Sequence, residues 1–228
     1  NFDIKSHNCK PILMAGLVQE NDNLDLLDSL KIKRDQGYTC FKVKVGIYDI
    51  DKDISRIKKL QREMIPGEKM RIDANQGLTI NNAISLTSEC SKDYVELLEQ
   101  PLRIESWGQM QELYKKSNIE LMLDESILGL DSLKYVISPY KSCDWIKLKL
   151  MKQGSIERTH KMLDFAKNQN LKVIFGNGVS GFLGNFQEGL LWHELQKYGD
   201  KIANNAIESN GFLKVKADPF HKLLSFDS

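Results

Sequence analysis

The sequence predicts an α/β fold, a TIM-type (β/α) barrel of the modified (β/α)7β kind, and three observations carry that expectation. Short apolar runs of strand length alternate with longer amphipathic stretches, and such alternation implies a parallel sheet. Seven such units are legible in a chain of 228 residues, with room for an eighth, which suits a barrel better than an open doubly wound sheet. No GxGxxG fingerprint follows the first apolar run.

The units read in order as follows. "ILMAGL" precedes "NLDLLDSLKIKRDQG", "CFKVKVG" precedes "DISRIKKLQREMIPG", and "MRIDANQG" precedes "TINNAISLTSECS". Each pair sets β-branched or apolar residues before a stretch of helical period. "YVELLEQP" and "RIESWGQMQELYKKS", then "IELMLDES" and "LDSLKYVIS", continue the series. "DWIKLKLM" with "SIERTHKMLDFAKNQ" and "KVIFGNG" with "FQEGLLWHELQKYG" complete it. Beyond residue 202 the pattern weakens. An eighth strand is expected near Ile202 to Ile207, followed by a tail over 209–228 that contains "FLKVKADPF". No Pro/Gly/Ser-rich linker divides the chain, so residues 1–228 are read as one catalytic barrel domain.

Composition narrows the function. The 32 basic and 31 acidic residues leave a formal charge of +1, so no overall field favours nucleic acid or an anionic membrane. No apolar run approaches the ~18 residues needed to span a bilayer, and "NFDIKSHNCK" lacks a signal-peptide core. The four cysteines, Cys9, Cys40, Cys90 and Cys143, show no metal-ligand spacing. Reduced thiols in a soluble cytoplasmic protein are the expectation.

In a barrel, function gathers where strands end at the C-terminal mouth. Strand 2 carries Lys42 and Lys44, strand 3 ends with Asp73 and Asn75, and strand 4 ends with Glu99. Strand 5 ends with Asp124 and Glu125, and strand 6 carries Lys147 and Lys149. Singly, each has a plain structural reading: a lysine alternation as a half-exposed strand face, "EQP" or "DES" as a cap or turn. Together they run lysine, carboxylate, carboxylate, carboxylate, lysine. Asp73, Glu99 and Asp124 recur at intervals of 26 and 25 residues, the length of one βα unit. Three adjacent carboxylates repel unless a hard cation sits among them, and oxygen-only donors select Mg2+, or Mn2+ in its place. These three are candidate metal ligands.

Such a cation makes the proton next to a substrate carboxylate removable through an enediolate. Strands 2 and 6 lie opposite each other in a ring of eight, so lysines would flank the metal from two sides. A base on each side permits racemisation or epimerisation; one base with the metal permits elimination or cycloisomerisation. Alternation leaves open which lysine of each pair reacts. Depth favours Lys44 and Lys149, nearer the mouth, with Lys42 as a like charge that lowers the proton affinity of Lys44. Lys147 is read either as a similar partner of Lys149 or as a structural residue.

These residues resemble the enolase superfamily, specifically its muconate-lactonising-enzyme subgroup. "FKVKVG" is similar to that subgroup's KxK strand, "RIDANQG", "LLEQPL" and "LMLDES" to its three metal segments, and "KLMKQGS" to its second-lysine segment. The resemblance implies Lys44 and Lys149 as the acid/base pair, Lys42 as companion, and Asp73, Glu99 and Asp124 as Mg2+ ligands. It casts Asn75 and Glu125 as residues that hold lysines and ligands in place. It implies a racemase, dipeptide epimerase, N-acyl amino acid racemase or cycloisomerase acting on a small carboxylate-bearing substrate. An o-succinylbenzoate synthase-type lyase is the alternative within the family, and a non-catalytic barrel the alternative outside it.

Strand 7 ends "VIFGNGVSG" without the histidine expected of the mandelate-racemase branch. There Gly176, Asn177 and Gly178 are candidate substrate-binding residues, weighed against an ordinary β-to-α turn. Family members carry an N-terminal capping domain, and this chain starts where the barrel starts, with Asn1. Either the chain is a fragment of a longer protein, or the cap comes from another chain, or the protein is a cap-less relative; residues 209–228 are expected to pack towards such a cap, and a homo-oligomer fits the same reading. The uncapped barrel is expected to bind Mg2+ weakly and turn over slowly. The histidines His7, His160, His193 and His221 fall away from strand mouths and are read as surface or core residues. Trp107, Trp145 and Trp192 are read as packing aromatics.

Overall fold

A computed structural model describes residues 13–137, 141–176, 182–195 and 207–208. Seven strands, β1 (Ala15–Val18), β2 (Cys40–Lys44), β3 (Lys69–Asp73), β4 (Val95–Glu99), β5 (Glu120–Leu123), β6 (Trp145–Leu148) and β7 (Lys172–Phe175), pair in sequence order. Every pairing is parallel. The intervening helices are α1 (Leu26–Asp35), α2 (Ile50–Glu63), α3 (Ile80–Ser88), α4 (Trp107–Lys116), α5 (Leu130–Ile137), α6 (Leu150–Gln153) and α7 (Ile156–Asn168); α8 (Phe182–Leu195) follows β7. All seven expected βα units are present, and the short α6 directly after β6 is an addition to them.

Residues 207 and 208 join the two edges of the sheet. Ile207 accepts from the Ala15 N–H (2.9 Å) and donates to the Leu13 carbonyl (2.8 Å), while the Glu208 N–H donates to the Phe175 carbonyl (2.8 Å). These parallel bridges to β1 and to the end of β7 close the ring at Ile207, the last residue of the expected eighth strand, whose residues 202–206 lie outside the described residues. The expected tail over 209–228 lies outside the described residues.

Alternation along each strand sorts the chain into two cores. Phe41 and Val43 of β2, Met70 and Ile72 of β3, Leu98 of β4, and Leu121 and Leu123 of β5 face outward into one continuous helix-packed cluster. The opposite, inward face carries a small apolar plug of Leu97, Met122, Trp145 and Ile174. Above that plug the interior becomes charged, with Lys42, Arg71, Glu99, Lys147 and Glu208 all buried. The lysines of "FKVKV" are therefore inward residues of a barrel strand.

Helix starts are set by side-chain caps: Asp25, Asp49, Thr79 and Ser155 each accept a backbone N–H from the first turn of α1, α2, α3 and α7. The loops that follow β2 and β3 meet backbone to backbone. A Cβ on Gly77 would stand 2.9 Å from the Ala74 carbonyl and 3.0 Å from that of Gly46, which itself sits at φ +84°. Glycine is required for this approach. Cys40, Cys90 and Cys143 are free and buried, as expected; Cys9 lies outside the described residues. Among the described residues, no helix is long and apolar enough to cross a membrane.

Candidate active site

The C-terminal ends of β2 to β6 bring the predicted residues to one rim. Lys44, Asp73 and Glu99 are register partners across β2, β3 and β4. Asp124 and Lys149 each stand one residue past the ends of β5 and β6. Lys44 is exposed, and its Nζ donates to Asn75 Oδ1 at 2.7 Å. Asn75 in turn donates from Nδ2 to Glu125 Oε1 (3.1 Å) and from its backbone N–H to Asp73 Oδ1 (3.0 Å). Its φ of +40° is a left-handed conformation that asparagine tolerates better than most residues. Asn75 and Glu125 thus tie the Lys44 ammonium to the end of β3.

Across the rim, Lys149 Nζ donates to Asp124 Oδ2 at 2.6 Å. Lys152, one turn on in α6, donates to Asp124 Oδ1 (2.6 Å) and to its carbonyl (3.0 Å). Burial opposes charge on Asp124, but Lys147, Lys149 and Lys152 outweigh it and hold the carboxyl well below the usual carboxylate range.

Between these two lysines lies a buried ionic cluster. The Lys42 ammonium contacts Glu99 Oε2 (2.6 Å), Glu208 Oε2 (2.6 Å) and Asp73 Oδ2 (2.8 Å). Lys147 donates to Glu99 Oε1 at 2.7 Å and also to Glu208 Oε2. It approaches Asp124 Oδ2 at 3.8 Å. Arg71 closes the cluster from below, bonded to Glu96 at 2.5 Å and to Glu208 at 3.5 Å. A register shift between Met70 and Arg71 leaves Glu96 as the unpaired residue of β4 opposite Arg71.

The two buried lysines hold their protons strongly. Desolvation works against the Lys42 charge, but Glu208, Glu99 and Asp73 together raise its proton affinity well above the ordinary value. For Lys147, Glu208 and Glu99 likewise exceed the desolvation penalty. Glu99 is fully buried, and burial together with the Glu208 charge pushes its carboxyl up to about 8 against the pull of Lys147 and Lys42. Glu208, which also faces Arg71, is held well below its ordinary value despite burial. Three carboxylates surround the Lys42 ammonium, so the charge beneath Lys44 is a compensated one rather than a bare cation. Lys147, whose role alternation left open, is a buried member of the cluster.

Among the described residues, no three His, Cys, Asp or Glu side chains are drawn together as a ready metal cage. Lysine ammonium groups occupy the lone pairs instead, joining Asp73 to Glu99 through Lys42 and Glu99 to Asp124 through Lys147. The donor set nevertheless fits a hard divalent cation, because all three groups are carboxylates on neighbouring strand ends and already balance positive charge.

Several participants were not singled out from sequence. Glu208 follows Ile207 in the closing segment, as Glu99 follows Leu98 in β4. Lys152 follows Lys149 at a spacing of one helical turn. Gln100, read as part of a turn, is fully buried at φ +35°. Its Oε1 accepts from the N–H groups of Asp124 and Ser126, both at 3.1 Å. Its Nε2 donates to the Leu102 carbonyl and Ser126 Oγ, both at 2.9 Å. One satisfied amide therefore fixes Asp124 against the end of β4. At Gly176 the space a Cβ would take is filled by Lys147, whose Cε lies 2.5 Å away. Asn177 and Gly178 lie outside the described residues. His160 lies in α7, away from the strand ends.

An L-Ala-D/L-Glu epimerase of Francisella tularensis subsp. novicida is 33% identical over 142 residues, covering 61% of this chain and 39% of the relative. The substrate-liganded L-Ala-D/L-Glu epimerase structure from Bacillus subtilis superposes with a TM-score of 0.79 at 24% identity, over 91% of this chain and 56% of that one. The Enterococcus faecalis V583 dipeptide epimerase complexed with Mg and the dipeptide L-Leu-L-Tyr gives a TM-score of 0.75 at 22% identity, over 87% and 53% of the two chains. The chain thus spans about half the length, or less, of these relatives. Residues 25–188, which carry every strand from β2 to β7 and all the rim residues just described except Glu208, match the Enolase C-terminal domain-like model, and the chain belongs to that family of the enolase superfamily.

Proposed function

We propose that this barrel mouth removes and returns the proton α to a carboxylate in a dipeptide or N-acyl amino acid, epimerising that centre with Lys44 and Lys149 as the two bases. The observation that carries the reading is the placement of these two ammonium groups on either side of the carboxylates. Lys44 is held by Asn75 at the end of β2 and Lys149 by Asp124 at the end of β6. Each is tethered by a hydrogen bond that orients its nitrogen at the rim, and neither is locked in the central cluster as Lys42 and Lys147 are. Asp73, Glu99 and Asp124 are the residues that would hold Mg2+, which the Enterococcus faecalis relative contains. When bound, such an ion supplies positive charge to a substrate carboxylate as its α-proton leaves.

Ile47, Ile104, Leu128 and Met151 are exposed apolar residues in the segments that follow β2, β4, β5 and β6. An apolar rim of this kind supports a covering element over the mouth, one that excludes water during proton transfer.

The test is α-proton exchange in D2O with Mg2+ and either L-Ala-L-Glu or L-Ala-D-Glu. Lys149→Ala should abolish exchange from one epimer and Lys44→Ala from the other. Equal loss from both epimers in each variant would remove the two-base assignment.

A further inference from the structure

A second cleft, part apolar and part charged, opens beside the mouth, between the β5–α5 loop and the α6–α7 segment. It encloses about 570 Å3, and its charged and amide lining residues are Asp131, Lys152, Gln153, Arg158 and Lys161. That volume is typical of small-molecule sites. Three cations face one carboxylate in the lining.

Two of its groups lack a side-chain hydrogen-bond partner among the described residues. Gln153 is 2% exposed, and neither its amide nitrogen nor its amide oxygen makes a hydrogen bond. A buried polar group in that state is a cost unless something supplies the missing partner. Arg158 sits on the exposed side, its backbone N–H given to Ser155 Oγ (3.1 Å) and its guanidinium bonded to no described residue. Among the described residues Lys161 pairs with Glu157, one turn away on an exposed helix face, a pairing easily exchanged for a stronger acceptor.

We propose that this cleft binds a small molecule bearing a phosphate or carboxylate group. Its oxyanion is taken by Arg158 with help from Lys161, and a neighbouring polar group is taken by the Gln153 amide. A planar guanidinium suits a two-oxygen acceptor, and the primary amide supplies both a donor and an acceptor. Lys152 links this cleft to the rim, since its ammonium also holds Asp124. An oxyanion in the cleft competes for the same cation.

Calorimetric titration of the 228-residue chain with inorganic phosphate in one arm and succinate in the other reads binding without substrate or divalent metal. It is thus independent of the proton-transfer reading. The expected result is saturable binding of at least one probe, weakened about tenfold or more by Arg158→Met and kept within about twofold by Lys44→Met. Both side chains are exposed, so both variants retain the fold. Absence of heat with either probe up to about 50 mM, binding indifferent to Arg158→Met, or binding lost in Lys44→Met would each overturn the proposal, the last by placing the anion at the barrel mouth.

Discussion

Lys147 fills the space that a side chain on Gly176 would need: its Cε lies 2.5 Å from the position of a Cβ there. The far end of a lysine can usually swing aside, but this one is anchored to Glu99 and Glu208 inside the barrel. Gly176→Ala should therefore destabilise the fold by about 1–3 kcal/mol through overpacking of an anchored group. Urea unfolding measures it, and an unchanged midpoint would mean that the Lys147 stem yields freely.

Glu208 is the carboxylate shared by Lys42, Lys147 and Arg71. Removing its charge leaves buried cations with fewer counter-ions, and breaking a buried pair in this way costs about 3–5 kcal/mol. Glu208→Gln keeps the shape and should lower the thermal midpoint sharply. A midpoint like that of the unmodified chain would show that Glu99 and Asp73 suffice for both lysines.

The parts legible in the sequence were those with local period. Lys42 and Lys44 alternate with Phe41 and Val43, and Asp73, Glu99 and Asp124 recur at the length of one βα unit, so strand ends and rim carboxylates follow from spacing. Glu208 escaped because its partners Lys42 and Arg71 are 166 and 137 residues away, and closure of a ring leaves no local signature. Gln100 looked like turn chemistry because its clamp on Asp124 is a tertiary hydrogen bond. Lys147 stayed ambiguous because alternation gives the face a residue shares and says nothing of the carboxylates awaiting it. The compensation of Lys42 was invisible for the same reason.

Away from the mouth, Glu68 receives two hydrogen bonds from Arg34, from Nε at 2.6 Å and from Nη2 at 2.9 Å. Burial raises its proton affinity, but Arg34 and the Ile65 N–H more than offset that, so its folded pKa lies below the ordinary 4.5. The stability this group contributes is fully present above 4.5 and is lost as pH falls through the lower folded value. Glu68→Gln should cost on the order of 1 kcal/mol at neutral pH, since Arg34 is partly solvated. The gap between the variant and the unmodified chain should then narrow as the solution is acidified below that point. Denaturant melts across the acid range measure it, and a gap that stays constant would separate Glu68 from the acid sensitivity of the fold.

Asn75 offers the sharpest separation of position from chemistry at the rim. Its Oδ1 holds the Lys44 ammonium and its Nδ2 holds Glu125, while its own backbone is fixed by Asp73. Asn75→Ala leaves both lysines in place and removes the Lys44 tether together with the hydrogen bond to Glu125, while Lys149 keeps its own partner. If Lys44 and Lys149 act as separate bases, α-proton exchange from the epimer served by Lys44 should fall by about tenfold or more, with KM little changed. Exchange from the other epimer should persist. Asn75→Asp, which restores an acceptor for Lys44 while placing a like charge beside Glu125, should recover part of the loss. A symmetric fall for both epimers, or one confined to KM, would show that Asn75 serves substrate binding at large rather than the orientation of Lys44.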